Sequence, residues 1–222
     1  MDVILAGFGD RAVPYDEALA LQRGLHDGVT AGTIPDTLVL LEHEPVYTAG
    51  KRTEASERPT DGSRVIDVDR GGKLTWHGPG QLVGYPILRL EEPIDVVGYV
   101  RRLESLLMEV LEELGVDCRR IEGRSGVWVT RGLSDFKIAA IGIRVAGGVT
   151  MHGFALNCSN SLEPYAHIVA CGIRDAGVTT VSECLGRRVD PLDVIPLVRA
   201  RFDVFAEPGA AAGSARVAEA AA

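Results

Sequence analysis

Residues 64–90 read RVIDVDRGGKLTWHGPGQLVGYPILRL. Two apolar runs, Val65–Val68 and Leu82–Leu90, read as strands and bracket the stretch RGGKLTWHGPGQ (70–81), in which four of twelve residues are glycine and one is proline. A tight hairpin needs one or two glycines, not four. Surplus glycine lets main chain approach a ligand closely and present its N–H groups. Arg70, Lys73 and His77 add cations or donors to that backbone. The stretch lacks GxxxxGK[ST] and does not open a helix, so it is neither a P-loop nor a dinucleotide fingerprint. The competing reading is an irregular, bulged hairpin.

On the N-terminal side, PYDEALALQRGLHDGV (14–29) has the pattern of an amphipathic helix opened by proline and Asp16, and TLVLLEHE contains a short apolar strand, Leu38–Leu41. Residues 45–63 have the composition of a loop. On the C-terminal side, Asp95–Leu114 is the clearest helix, closed by Gly115. Strands follow at Gly126–Thr130, Lys137–Val145 and Gly153–Asn157, then helices at Glu163–Val169 and Pro191–Phe205. The sequence after Ala206, EPGAAAGSARVAEAAA (207–222), has few core formers and reads as a disordered tail behind one catalytic-sized domain, 1–206. Strands and helices mix without strict alternation, which predicts an α+β fold: a mixed β-sheet with flanking helices.

The chain has 222 residues, 46% of them hydrophobic, enough for one compact domain with a substantial core. A net charge of −8 argues against a general binder of nucleic acid or anionic membrane. Arg101-Arg102, Arg119-Arg120 and Arg187-Arg188 are candidates for local basic patches or, alternatively, solvated faces. The N-terminus lacks the pattern of a signal peptide, and no apolar run nears the roughly 20 residues of a membrane span, so the expectation is a cytoplasmic protein with no membrane partner. Cys118, Cys158, Cys171 and Cys184 are spaced 40, 13 and 13 residues apart, unlike a zinc knuckle or redox pair, and are expected to be free thiols with no metal site.

Three features carry candidate chemistry. Lys137 opens the apolar strand KIAAIGIRV; it either snorkels to water or is held where burial disfavours a charged amine and makes it a usable proton carrier. In HIVACGIRD (167–175), Cys171 precedes a glycine where an apolar run ends, a setting that exposes a thiol to a cleft, although most free cysteines are inert packing. His167 lies four residues before Cys171 and would share a helical face with it, so Cys–His and Cys–Lys pairings are both open. His77 and His152, each beside a glycine, are read as structural hydrogen-bonders.

Taken together, Arg70-Gly71-Gly72 with Thr75 and His77-Gly78-Pro79-Gly80-Gln81, Ser125-Gly126-Val127-Trp128, Lys137 to Gly142, His152 to Asn157 and Cys171-Gly172-Ile173 resemble, in order, the motifs of the lipoyl(octanoyl) transferase family. The likeness runs from about Leu40 to Leu185. It implies a biotin/lipoate protein ligase-like catalytic domain that moves an octanoyl or lipoyl group from acyl carrier protein to a lysine of lipoyl domains. The acceptors so implied are the lipoyl domains of 2-oxoacid dehydrogenase complexes and the glycine cleavage H protein, with no ATP, no other cofactor and no nucleic-acid partner. It implies Cys171 as the nucleophile carrying the acyl group and Lys137 as its partner. It implies a substrate site built from Arg70, Gly71, Gly72, Lys73, Leu74, Thr75, Trp76 and His77, from Ala140, Ile141 and Gly142, and from Gly153, Phe154 and Ala155. The sequence departs from the family pattern at Ala170, where proline usually precedes the cysteine; no functional group is lost by the change.

Overall fold

The computed structural model describes residues 1–59, 62–168 and 176–205. In chain order its elements are β1 (Asp2–Gly7), α1 (Tyr15–Ala31), β2 (Thr37–Leu41), β3 (Val46–Ala49), β4 (Val65–Asp67), β5 (Leu74–His77), β6 (Gln81–Ile87), α2 (Val96–Glu113), β7 (Arg119–Ile121), β8 (Arg124–Arg131), β9 (Ser134–Ala146), β10 (Val149–Asn157), β11 (Gly177–Val178), α3 (Val181–Leu185) and α4 (Pro191–Phe205). The larger, mixed sheet runs β1-β2-β6-β10-β9-β8-β7, with β11 added alongside β9; a second sheet runs β4-β3-β5. Among these strands the parallel pairs are β1 with β2, β11 with β9 and β3 with β4. The α+β class expected from the sequence is what the chain adopts.

The larger sheet is covered on both faces, and its central strands show it. In β2 every residue is buried. Leu38 and Leu40 join Leu82, Phe154 and Leu156 under α2 and α4, while Val39 and Leu41 join Val83, Tyr85 and Ile87 under α1. A strand buried on both faces reads as an unbroken apolar run rather than an alternation. Helix α2 supplies Tyr99, Leu103, Leu106, Leu107, Val110 and Leu111, spaced to form one stripe. Each such side chain contributes up to about 1.5–3 kcal/mol on burial. The Asp95 carboxylate accepts the Gly98 N–H at 2.8 Å to open this helix, and Gly115, at φ +87°, lets the chain leave it.

Several elements depart from the sequence reading. The loop-like stretch 45–63 contains β3, whose four residues are buried and paired on both edges. Strand β5 lies inside the glycine-rich stretch rather than beside it. β1 and β7 are short edge strands too brief to show a period. The helix expected from Glu163 is a 3-10 turn, Glu163–His167. Val169 and the tail 207–222 lie outside the described residues. Four of the six paired arginines are engaged locally: Arg101 and Arg120 close on Glu104, Arg119 on Asp135, and Arg188 on Asp190.

The smaller sheet has its own core of Tyr47, Ala49, Leu74 and Trp76. Gly78 belongs to this core. A Cβ there would stand 2.2 Å from the Trp76 ring, so the indole lies where any side chain would go. The start of α1 is docked by rings. Tyr15 packs on His43 with centroids 5.0 Å apart and stacks on His77 at 6.3 Å. His43 donates from Nδ1 to the Val13 carbonyl (2.9 Å) and accepts from the Tyr85 hydroxyl at Nε2 (2.6 Å). Burial drives the His43 imidazole down to about 4, and burial together with the neighbouring His43 drives His77 down to about 3.

Two outcomes follow. Gly78→Ala should lower stability by about 1–3 kcal/mol, the usual range for overpacking, read as a lower urea midpoint. Stability should also be flat above pH 6.5 as far as these histidines go. Both folded values lie below the unfolded value of about 6.5, so on acidification the unfolded chain takes up protons that the folded chain refuses. Stability should therefore fall as pH drops from about 6.5 towards 4, by up to ~2.7 kcal/mol per pH unit for two imidazoles. Urea unfolding at pH 7, 6 and 5 measures the slope, and His43→Gln should roughly halve it.

Candidate active site

A cavity of about 230 Å³ opens on the α1 side of the larger sheet, where the smaller sheet meets it. It is slimmer than the roughly 300–1,000 Å³ sites that take drug-sized ligands. Of the residues singled out from the sequence, Arg70, Gly72, Lys73, Thr75, His77, Lys137, Ala140, Ile141, Gly142, Gly153, Phe154 and Ala155 line it. Gly71, Leu74 and Trp76 do not. The alternation of β5 sends Thr75 and His77 to the cavity and Leu74 and Trp76 into the small core. Gly71 donates its N–H to Ile143 O at 2.9 Å and so ties the loop to β9. Cys171 and Gly172 lie outside the described residues.

Arg70 organises the glycine loop. The residue is 8% exposed, and its guanidinium donates to four oxygens: Gly71 O at 3.0 Å, Lys73 O at 2.9 Å, Thr48 O at 2.9 Å and Thr48 Oγ1 at 2.9 Å. Gly142 makes this possible, since a Cβ there would stand 3.0 Å from Arg70 Cδ. The bare backbone of this region therefore first serves close packing of loop on sheet. His77, neutral by burial, donates from Nδ1 to Gln81 Oε1 (2.7 Å), and Gln81 Nε2 donates to Asn157 Oδ1 (2.9 Å) and Tyr165 OH (3.0 Å). Asn157 Nδ2 continues to Thr179 O (3.1 Å). This network knits the glycine loop to Tyr165 and Thr179, on either side of segment 169–175.

Lys137 sits near the start of β9, between two partners. It pairs with Trp128 of β8 on one side and with Val178 of β11 on the other, where its carbonyl accepts Thr179 N–H at 3.1 Å. The residue is 7% exposed, and its Nζ stands 4.7 Å from the centroid of the Trp128 ring. A second, smaller cavity shares Thr75, Lys137, Ala140 and Ala155 with the first and is otherwise lined by Trp128, Asn157, Tyr165 and Ala176–Val178. The snorkelling alternative for Lys137 does not hold: the side chain enters the cavity.

The cavity is also lined by residues that sequence reasoning did not assign to it. Tyr15, Val83 and Tyr85 come from α1 and β6, and Gly123, Arg124 and Ser125 from the turn into β8. His152 lines it with φ +57°, a left-handed backbone that costs a residue with a Cβ and is held here by Gln22 Oε1, which accepts its N–H at 2.9 Å. Its Nε2 meets Asp69 Oδ1 at 2.8 Å, and Asp69 also pairs with Arg144. Burial keeps His152 below its ordinary value against the pull of Asp69. For Asp69, burial is outweighed by the His152 hydrogen bond and the Arg144 charge, which hold the carboxyl low. The pair is thus an imidazole donating to a carboxylate. The spacing of Val83 and Tyr85 on one face of β6 was the available signal; nothing local marked Tyr15. Among the described residues no His, Cys, Asp and Glu cluster suits a metal ion, and no helix is long and apolar enough to cross a membrane.

The other thiols are set apart from this cavity. Cys118 and Cys158 are unpaired, and burial pushes both up to about 12, so neither offers a thiolate near neutral pH. Cys184, also unpaired, lies beside Arg131 Nη2 at 3.3 Å.

Comparison with known proteins places this geometry. Residues 14–203 match the family model of the lipoyl protein ligase A/B catalytic domain. The chain is 66% identical over 212 residues to an octanoyltransferase of Leifsonia xyli subsp. xyli, covering 93% of this chain and 95% of that protein. It is 60% identical over 197 residues to an octanoyltransferase of Acidothermus cellulolyticus, covering 88% and 89%. Among solved structures it is similar in fold to a bipartite lipoate protein ligase from Thermoplasma acidophilum, with TM-score 0.71 at 16% identity over 92% of this chain and 82% of that one. Lipoate-protein ligase A bound with ATP matches at TM-score 0.69 and 16% identity, over 92% and 84%. With sequence and fold in agreement over nearly the whole chain, this protein belongs to the lipoyl protein ligase A/B catalytic domain family and groups within it with the octanoyltransferases.

Proposed function

We propose that the protein transfers an octanoyl (or lipoyl) group from acyl carrier protein to a specific lysine of lipoyl domains, through a thioester on Cys171 assisted by Lys137. The observation that carries this reading is the burial of Lys137 in a slim cavity at the point where the chain coming from Cys171 rejoins the sheet. Ala176 lines the cavity around Lys137, and five residues span at most ~18 Å. The resemblance assigns the nucleophile, and the high sequence identity to proteins named octanoyltransferases supports the acyl group.

In the first step Cys171 gives its proton to Lys137 and the thiolate attacks the thioester carbonyl of the donor; a new C–S bond forms, the donor's C–S bond breaks, and the carrier leaves as its thiol with the proton returned by Lys137. One thioester replaces another, so no ATP is needed. In the second step the amine of the acceptor lysine attacks the acyl-enzyme. The C–S bond breaks, an amide forms, and the proton lost by the amine passes by way of Lys137 to the departing Cys171 sulfur. Main-chain N–H groups of the 140–142 segment are candidates to stabilise the tetrahedral oxyanion. The acyl chain lies along Ala140 and Ala155, whose small side chains leave room for it.

A second reading, ATP-dependent ligation of a free acid, arises because a ligase that binds ATP shares the fold. The two differ in what they consume. Incubation with octanoyl-acyl carrier protein and no nucleotide should give an octanoyl mass increase on the peptide containing Cys171 alone. Labelling confined to Cys118, Cys158 or Cys184, or transfer only when ATP and free octanoate are supplied, would sink the proposal. Lys137→Ala should reduce transfer to a lipoyl domain by about 100- to 10,000-fold, the range for loss of a general base. Lys137→Arg should recover little of it, since arginine does not release a proton in proteins. His167→Ala should stay near the wild-type rate; a crippled His167→Ala beside an active Lys137→Ala would reverse the assignment.

A further inference from the structure

Glu104 lies in the middle of α2 with no exposed surface. A carboxylate survives there only if its charge and lone pairs are met. Its Oε2 accepts from Arg101 Nη1 at 2.6 Å and Arg120 Nε at 3.0 Å. Two guanidinium groups already satisfy the charge. Its Oε1 does something else: it crosses from the helix to β8 and accepts the main-chain N–H of Gly126 at 2.9 Å.

Gly126 is where β8 presses on Lys137. Its φ of +103° suits glycine alone, and a Cβ there would stand 2.4 Å from Ala139 O and 3.5 Å from Lys137 Cε. The ladder is irregular at the same point: Val127 pairs with Ala139 and Trp128 with Lys137, so Ile138 is the extra residue of a bulge. Two residues beyond Gly126, Trp128 sets its ring against the Lys137 ammonium. Just before it, Arg124 and Ser125 line the cavity. One five-residue segment therefore bounds the lysine on two sides and forms part of the cavity wall, and Glu104 pins that segment from behind.

We propose that Glu104 is a positioning residue for Lys137: through the Gly126 N–H it holds the 124–128 segment against the lysine stem and fixes where the amine sits in the cavity. Its consequence for catalysis rests on the reading of Lys137 as the proton carrier; the positioning itself does not.

Two variants separate the roles of the carboxylate. Glu104→Asp keeps the charge for Arg101 and Arg120 but falls one methylene short of Gly126. Glu104→Gln keeps an oxygen for Gly126 and gives up the ion pairs, so it should lose stability rather than position. The chain has only three lysines, Lys51, Lys73 and Lys137, which makes competitive acetylation by acetic anhydride readable by peptide mass spectrometry with exposed Lys51 as internal reference. In Glu104→Asp the labelling rate of Lys137 relative to Lys51 should rise at least about threefold, with Lys73 unchanged, and kcat for acyl transfer should fall about 10- to 100-fold, the scale of a small misplacement of a reacting group. In Glu104→Gln the relative labelling of Lys137 should stay within twofold of wild type while the thermal midpoint falls. Unchanged Lys137 labelling in Glu104→Asp overturns the proposal, whatever happens to the rate. Altered labelling with an unchanged kcat upholds the positioning and instead defeats the reading of Lys137 as proton carrier.

Discussion

The architecture around the cavity depends on one buried guanidinium. Arg70 spends four N–H donors on main-chain and hydroxyl oxygens of Thr48, Gly71 and Lys73, joining β3 to the loop that precedes β5. A charge so enclosed costs several kcal/mol unless its hydrogen bonds are made. The geometry that makes them also sets the loop on β9, where Gly142 leaves space for the arginine stem. That fit and the Gly71 N–H to Ile143 O bond are two of the ties that place the smaller sheet on the larger one. Thr75 and His77 of the smaller sheet and Ala140 and Ala155 of the larger one line the same cavity because the Arg70 stem packs on Gly142, Gly71 N–H bonds Ile143 O, and His77 reaches Asn157 through Gln81.

How much of this was legible in the sequence divides along physical lines. Long amphipathic elements announced themselves: α2 has a repeated apolar stripe, an aspartate cap and a terminal glycine. The β9–β10 meander has long runs of apolar residues. β3 and β5 did not, because a four-residue strand between Pro45 and Gly50, or one enclosed by glycines, offers too few positions for a period of two. The motif positions were readable as a group, but not the direction of each side chain. LTWH alternates in full view, yet only the pairing of β5 with β3 decides that Leu74 and Trp76 go to the small core while Thr75 and His77 face the cavity. The glycines were read as room for a ligand. At Gly78 and Gly142 the room is taken by Trp76 and Arg70, and no local signal distinguishes the two uses.

Most titratable groups in this region are either held neutral or met by a partner of opposite charge. His43 and His77 are held uncharged by burial, and the Glu104 carboxylate is met by two guanidinium groups. Asp69 is stabilised in its ionised form between His152 and Arg144. Against this background the Lys137 amine, stacked on Trp128, stands where the two cavities join. Cation–aromatic contact of this kind is worth about 0.5–2 kcal/mol and restrains an ammonium without tying it to a carboxylate.

The pairs Ala140–Ala155 and Gly142–Gly153 face each other across β9 and β10, two residues apart on each strand. They form a strip of ladder with almost no side chains, bordering the cavity and packed by the Arg70 stem at Gly142. Its dimensions are those of the hydrogen-bonded sheet, about 3.3 Å per residue along the strand, and a strand cannot slide or swell without giving up several ladder bonds at once. The strip is thus a rigid gauge graduated in residue pairs. The shape of the wall is therefore set by which side chains the ladder carries, and exchanging one for another changes it in discrete increments rather than by elastic yielding.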